Sequence, residues 1–101
     1  MRIIIMFDLP MTSNADIREY TRFRKYLIGS GFLMMQQSIY CKLALNLTAA
    51  NAITANVRRN KPEEGLVQIL VVTEKQFSKM EYIVGDKRVE TLDTDERLVI
   101  L

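Results

Sequence analysis

The stretch that decides the fold is RIIIMFDLP, residues 2–10. Its β-branched and aromatic residues favour an extended strand, and Pro10 cannot continue a hydrogen-bonded ladder. Successive side chains of a strand point to opposite faces. One face therefore carries Ile3, Ile5 and Phe7, and the other carries Arg2, Ile4, Met6 and Asp8. Both faces are largely apolar, so the pattern predicts a buried first strand over residues 2–9 that ends in a carboxylate.

A helix is expected next, because three consecutive residues can supply an N-cap side chain: Thr12, Ser13 and Asn14. The helix is predicted to run to about Ser30, since Gly29 and Gly31 mark its end. Its apolar stripe at helical spacing consists of Ile17, Tyr20, Leu27 and Ile28. The aromatic residues of this helix are interpreted as packing groups.

The rest of the chain reads as further strands and one more helix. Residues 32–43 are too long for a single strand, so a bend near Gln36 and Gln37 is expected to divide them. A second helix is predicted from a cap at Asn46 or Thr48 to the stop at Pro62. Residues 66–73 read as a strand, residues 76–78 as a turn and residues 80–84 as a short strand.

This order predicts an α+β fold, a ferredoxin-like βαββαβ sandwich with an extra C-terminal strand. Residues 1–85 are assigned to the ferredoxin-like domain. Residues 86–101 are assigned to an acidic connection and a C-terminal strand that completes the dimer sheet, paired with either its own sheet or the partner's. Two helices cover only one face of the sheet, so the apolar second face predicts a sheet-to-sheet homodimer.

Composition excludes several kinds of chemistry. Cys41 is the only cysteine and the chain has no histidine, so an intrachain disulfide, a thiolate zinc site and a Ser-His or Cys-His nucleophile pair are out of reach. Any hydrolysis would therefore use carboxylates and a metal ion, or some other unaided arrangement. The longest apolar runs have strand length rather than the ~20 residues of a membrane span, and no signal-peptide pattern is found, so we expect a cytoplasmic protein.

Asp8 is the first candidate for chemistry. It ends the first strand on the face assigned to the dimer contact, where residues near a two-fold axis meet their own copies. Two such carboxylates would repel unless a cation or a shared proton offset their charge, and magnesium suits a pair of carboxylates with waters. The alternative is that Asp8 only caps the turn before Pro10.

Basic residues are the second candidate. The net charge of +2 is too small to indicate nucleic-acid binding, so the distribution of charge matters more. Arg18, Arg22 and Lys25 share one face of the first helix, and Arg24 lies nearer its apolar stripe. These residues either bind phosphates or form a solvated helix face. Arg58, Arg59 and Lys61 are equally well explained as complements to a helix C-terminus.

Several short motifs, taken in order, resemble the CRISPR-associated "Cas two" family. They are Phe7-Asp8-Leu9 at the end of the first strand, the basic helix, Gly31-Phe32 and Gln37-Ser38-Ile39-Tyr40. With Pro10 and the segment Val72-Thr73-Glu74-Lys75-Gln76-Phe77, the chain is similar to the branch found beside Cas nine-type (type II) effectors. The resemblance covers nearly the whole chain.

The resemblance implies a homodimer that lies between two dimers of the CRISPR integrase and holds double-stranded prespacer DNA. It also implies a magnesium-dependent endonuclease, acting on RNA or double-stranded DNA, centred on Asp8. Many relatives have a further acid shortly after this position, where this chain has Leu9, Pro10 and Met11. Ser38 matches a family serine and would orient a phosphate or a water, or else bond locally within its strand.

Three classes of function therefore follow from the sequence. The first is an architectural DNA-binding subunit of spacer acquisition, which should tolerate the loss of Asp8. The second is a metal-dependent nuclease, which should require Asp8. The third is a regulatory ferredoxin-like module, although the sequence contains no Gly-rich ligand loop.

Overall fold

The computed structural model describes residues 1–85. Seven elements follow one another along the chain: β1 (Arg2–Asp8), α1 (Asn14–Gly29), β2 (Leu33–Gln36), β3 (Ile39–Leu43), α2 (Leu47–Arg59), β4 (Leu66–Val72) and α3 (Glu74–Ser78). The strands form one antiparallel sheet in the order β2-β3-β1-β4. This arrangement confirms the predicted α+β, ferredoxin-like βαββαβ fold. The predicted C-terminal strand within residues 86–101 lies outside the described residues.

Both long helices begin where the sequence supplies a cap. The Ser13 hydroxyl accepts a hydrogen bond from the Asp16 amide at 3.0 Å, and the Asp16 carboxylate accepts one from the Ser13 amide at 3.2 Å. This reciprocal pair is a capping box, which satisfies two amides that the helix itself leaves without partners. Asn46 caps α2 by accepting from the Ala49 amide at 2.8 Å. The predicted starts of both helices are thus confirmed.

The core lies between the sheet and the helices. Ile3, Ile5 and Phe7 of β1 are buried against Phe23 and Leu27 of α1, as the alternation in β1 predicts. The predicted helical stripe is wrong at two positions, because Ile17 is 44% exposed and Ile28 is 47% exposed. Phe23, which is fully buried, and Tyr26, at the edge of the core, take their place beside the predicted Tyr20.

The other face of the sheet carries large apolar side chains, of which the leucines toward the sheet edges stay about half exposed while Ile4 near the centre is buried. Cross-strand partners share a face, so Ile4 and Met6 lie beside β3 and β4 residues that point the same way. We call this set the outer sheet face: Ile4, Met6, Leu33, Ile39, Leu43, Leu66 and Leu70. Leu66 and Leu70 are 54% and 51% exposed. The predicted second apolar face is therefore present.

The segment after β4 differs from the prediction. The expected turn at residues 76–78 belongs to helix α3, and the expected strand at residues 80–84 does not form. A second capping box explains the helix, because Thr73 and Gln76 exchange hydrogen bonds at 3.0 and 2.9 Å. Arg2 then holds α3 near the sheet, with Nη2 2.7 Å from Oε1 of Glu74 and the guanidinium 4.2 Å from the centre of the Phe77 ring. The capping box thus accounts for the helix that replaces the expected turn.

Candidate functional site

Asp8 is the last residue of β1 and its side chain is exposed. Asp8 lies two residues beyond Met6 in the strand, so its side chain is on the same side of the sheet as the outer sheet face. The carboxylate makes no hydrogen bond or ion pair with any other residue in the range 1–85, so the turn-capping alternative lacks a supporting contact there. The fold therefore presents Asp8 at a strand end as an exposed, acceptor-only group.

Gly65 holds the backbone at this strand end, a feature that the sequence analysis missed. Asp8 pairs with Leu66, so Gly65 lies immediately beyond the last pair of the ladder. It has a φ of +98°, and a Cβ at this position would lie 2.8 Å from the carbonyl oxygen of Asp8 and 2.8 Å from Cδ2 of Leu9. Only glycine combines that dihedral angle with so close an approach to the neighbouring backbone.

Ser38 lies next to the same strand end. Its carbonyl oxygen accepts a hydrogen bond from the Phe7 amide at 3.0 Å, so the turn between β2 and β3 is fixed to the residue before Asp8. Its φ is +64°, a left-handed conformation that is uncommon for a residue with a side chain. The shift in register between Met34 and Gln36 leads into this turn and accounts for the predicted division of residues 32–43.

Aromatic rings support β1 just before Asp8. The Phe7 ring lies 5.3 Å from Phe23, 5.7 Å from Tyr40 and 5.9 Å from Tyr20, measured between ring centres. Tyr40 is fully buried, and this burial raises the pKa of its phenol. Ring contacts of this kind add about 0.5–1.5 kcal/mol each beyond area burial. The backbone leading to Asp8 is accordingly well packed on its inner side.

The structure separates the predicted phosphate-binding residues of α1 into different roles. Arg18 and Lys25 are exposed and bond to no other residue in the described part of the chain. Arg22 instead donates to both carboxylate oxygens of Glu19, at 3.0 and 3.1 Å, and to the carbonyls of Asn60 and Lys61, at 3.2 and 3.3 Å. The bond from Arg22 lowers the pKa of Glu19. Sequence spacing groups these cations but does not reveal contacts 38 residues apart.

Arg24 lies on another flank of α1, beside β3. Its Nε donates to the Tyr40 hydroxyl at 3.1 Å. The guanidinium is exposed, and its two terminal amino groups make no bond to another residue within the range 1–85. A guanidinium that is held through its Nε keeps its two terminal amino groups oriented for a bidentate contact with a phosphate. This geometry explains an arginine near the apolar stripe.

Metal ligation by one copy of residues 1–85 is not supported, because no group of three or more Cys, Asp or Glu side chains is arranged to hold an ion there. A cavity of about 400 Å³ does lie beside Leu9, the residue after Asp8, and has acidic walls. It is lined by Leu9, Pro10, Ala15, Asp16, Glu19, Pro62, Glu63 and Glu64. Two of these acids are already engaged, since Asp16 caps α1 and Glu19 binds Arg22.

The fold and site together define a small ferredoxin-like protein with an exposed carboxylate at the end of its central strand and cations on its helical layer. The family model for CRISPR associated protein Cas2 matches residues 1–80. The chain belongs to this family, as its motifs predict.

Curated relatives are similar over the full chain. A protein of Treponema denticola named CRISPR-associated endoribonuclease Cas2 is 54% identical over 101 residues, the whole of both chains. Proteins of the same name from Streptococcus mutans and Ligilactobacillus salivarius are 43% and 39% identical over all of this chain, and the alignments cover 93% and 100% of those proteins. Among the described residues, no helix is long and apolar enough to cross a membrane.

Proposed function

We propose that this chain is the homodimeric, DNA-binding subunit of CRISPR spacer acquisition. In this role it works in the cytoplasm, bridges two dimers of the integrase and holds double-stranded prespacer DNA for insertion into the array. The observation that carries the proposal is the distribution of cations on α1, where Arg18, Arg24 and Lys25 keep donors available to phosphates.

The outer sheet face supports the proposal of a homodimer. Leu66 and Leu70 are each about half exposed beside Ile4 and Met6, and apolar patches of this kind are uncommon on monomers. A second copy packed sheet against sheet would bury them, at about 25 cal/mol per Å² of apolar area. It would also place two sets of α1 cations in one assembly, which doubles the number of phosphate contacts.

Binding to duplex DNA tests the proposal directly. Arg18→Ala with Lys25→Ala should weaken binding to a DNA duplex and reduce the slope of log K against log salt by about one unit per lost contact. Arg22 is left intact in this pair because it links α1 to the end of α2. Ile17→Ala, an exposed α1 position without charge, is the matched control. If the double variant binds as tightly as the wild type at low salt, α1 is not the DNA-binding surface.

A second candidate function is cleavage of nucleic acid, which the exposed Asp8 and the name of the relatives favour. Asp8 is the carboxylate at the end of β1 and makes no bond to another described residue, so a magnesium ion would be held between Asp8 and the partner's Asp8 with waters. When bound, such an ion would activate a water for attack on a phosphodiester. Ser38, fixed beside Phe7, would orient the phosphate or that water.

Asp8→Asn separates the two functions, since it removes the charge and keeps the size of the side chain. The variant should bind duplex DNA as well as the wild type or slightly better, and should support integration with the integrase. It should abolish any magnesium-dependent cleavage of RNA or DNA, because a neutral amide is a poor ligand for a hard cation. Loss of integration by a variant that still dimerises and binds DNA would make nuclease activity the main function.

A further inference from the structure

The end of α2 lies at the same edge of the sheet as Asp8. β4 runs antiparallel to β1, and its first residue Leu66 pairs with Asp8. α2 ends at Arg59, so only residues 60–65 separate the helix from this pair. The topology therefore brings the C-terminal end of α2 to the strand end that carries the exposed carboxylate.

Three cations lie at this helix end and are exposed: Arg58, Arg59 and Lys61. Basic residues at a C-terminus usually complement the last helical carbonyls, but other donors already occupy several of these carbonyls. The side-chain amide of Asn60 donates to the Asn56 carbonyl at 2.9 Å, and the Asn60 backbone amide donates to Val57 at 3.0 Å. Capping therefore does not account for all three cations.

Their side chains differ in how far they are engaged. Arg59 donates to the side-chain oxygen of Asn56 at 3.2 Å. The side chains of Arg58 and Lys61 make no hydrogen bond or ion pair with another residue in the described range. Arg58 and Lys61 thus project positive charge into solvent without a partner from residues 1–85.

Arg22 joins this helix end to α1. Its Nη2 donates to the carbonyls of Asn60 and Lys61 and to Oε1 of Glu19, and its Nε donates to Oε2 of Glu19. This bridge holds the stretch that contains Lys61 against the helix that carries Arg18 and Lys25 on the same face as Arg22. The guanidinium is largely engaged by these contacts, so Arg22 acts as a positioning residue between two groups of cations.

We propose that Arg58, Arg59 and Lys61 form a second phosphate-binding segment for duplex DNA, continuous with the cations of α1 through Arg22. This inference rests on the proposed DNA-binding function and extends its surface toward Asp8. Glu63 and Glu64 follow directly after Pro62 and line the acidic cavity, so the segment ends at Lys61. The DNA backbone would cross the helical layer from α1 to the end of α2.

The test is a salt titration of duplex DNA binding with Arg58→Gln and Lys61→Gln combined. Each phosphate contact contributes about 0.9 to the slope of log K against log salt, and this contribution vanishes at about 1 M salt. Losing one contact should therefore lower the affinity for DNA about eightfold at 0.1 M salt. The double variant should therefore bind roughly 60-fold more weakly, with a slope smaller by about two units. The matched control is Lys75→Gln with Lys79→Gln, which removes equal charge at the other end of β4.

The outcomes separate this inference from the function on which it rests. A large loss in the α2 variant with little change in the control supports the second segment. The inference would be overturned if the α2 variant and the lysine control lost equally little affinity for DNA. If Arg18→Ala/Lys25→Ala still lost binding in that case, the DNA-binding function itself would stand. If the wild-type protein shows no salt-dependent binding, both proposals fail. Unchanged melting temperatures would show that a loss of affinity does not reflect unfolding.

Discussion

Replacing Gly65 by alanine tests whether the close approach of this residue fixes the strand end at Asp8. Two separate effects contribute to the expected destabilisation. A left-handed conformation destabilises a residue with a Cβ by about 1–2 kcal/mol. Gly65 has a φ of +98°, so alanine at this position would carry that cost. The new Cβ would also lie 2.8 Å from the carbonyl oxygen of Asp8. Because that oxygen belongs to the backbone of a paired strand, no change of rotamer relieves the contact.

Gly85 offers a matched control for the first effect. Its φ is +91°, but a Cβ there would meet nothing within 4 Å. Gly85→Ala should therefore cost at most about 1–2 kcal/mol, whereas a forced backbone shift at Gly65 adds about 1–3 kcal/mol. A difference of about 2 kcal/mol corresponds to a melting temperature lower by roughly 8–16 °C in a domain of this size.

Urea unfolding followed by circular dichroism measures the free energies of both variants. We expect Gly65→Ala to be the less stable variant, with an unchanged m-value. If the two alanine variants are equally stable, the approach of Gly65 to Asp8 does not constrain the strand end, and the argument that this edge is held in position is wrong.

Three further predictions concern other parts of the structure. Ser38→Gly should leave stability within about 1 kcal/mol of the wild type, because glycine accepts the observed dihedral angle, whereas Ser38→Val should lower the melting temperature. Glu74 is held by Arg2, which lowers the pKa of this carboxylate; its contribution to stability is present above the pKa of the unfolded chain and is lost as pH falls through the lower folded value. Glu74→Gln should therefore weaken the dependence of stability on pH in the acid range, as thermal melts would show. Ile4→Asp or Met6→Lys should yield a monomer or an insoluble chain, and a wild-type monomer at micromolar concentration in light scattering would contradict the sheet-to-sheet dimer.

Local patterns account for the part of the fold that the sequence predicts. Strand β1, the starts of both long helices and the division of residues 32–43 each depend on signals within a few residues, such as the cap at Ser13. The error at residues 76–78 is also local, because the pair Thr73 and Gln76 matches a capping box that starts α3 there. The predicted burial of Ile17 and Ile28 is wrong for a different reason. Helical spacing permits several apolar stripes, and the packing of Phe23 against Phe7 determines which one faces the core.

The candidate site is predicted only where a residue acts alone. Asp8 and Arg18 lie exposed and their roles stay predictions, whereas the contacts of Arg22 involve carbonyls 38 and 39 residues away. The constraint from Gly65 likewise appears only when β4 pairs with β1. Contacts between distant parts of the chain are set by topology, and a single sequence without aligned homologues does not display them.

The arrangement around Asp8 bears on why the strand end is held in position. Gly65 approaches its carbonyl, Ser38 adopts a left-handed conformation beside Phe7, and aromatic rings pack beneath the same strand. These features restrain the backbone of a residue whose own side chain bonds to nothing else in residues 1–85. The left-handed conformation of Ser38 is the one backbone strain among the described residues, and such strain often marks a functional region. An exposed carboxylate on a restrained backbone is what the proposed pairing of Asp8 with the partner's Asp8 through a magnesium ion requires.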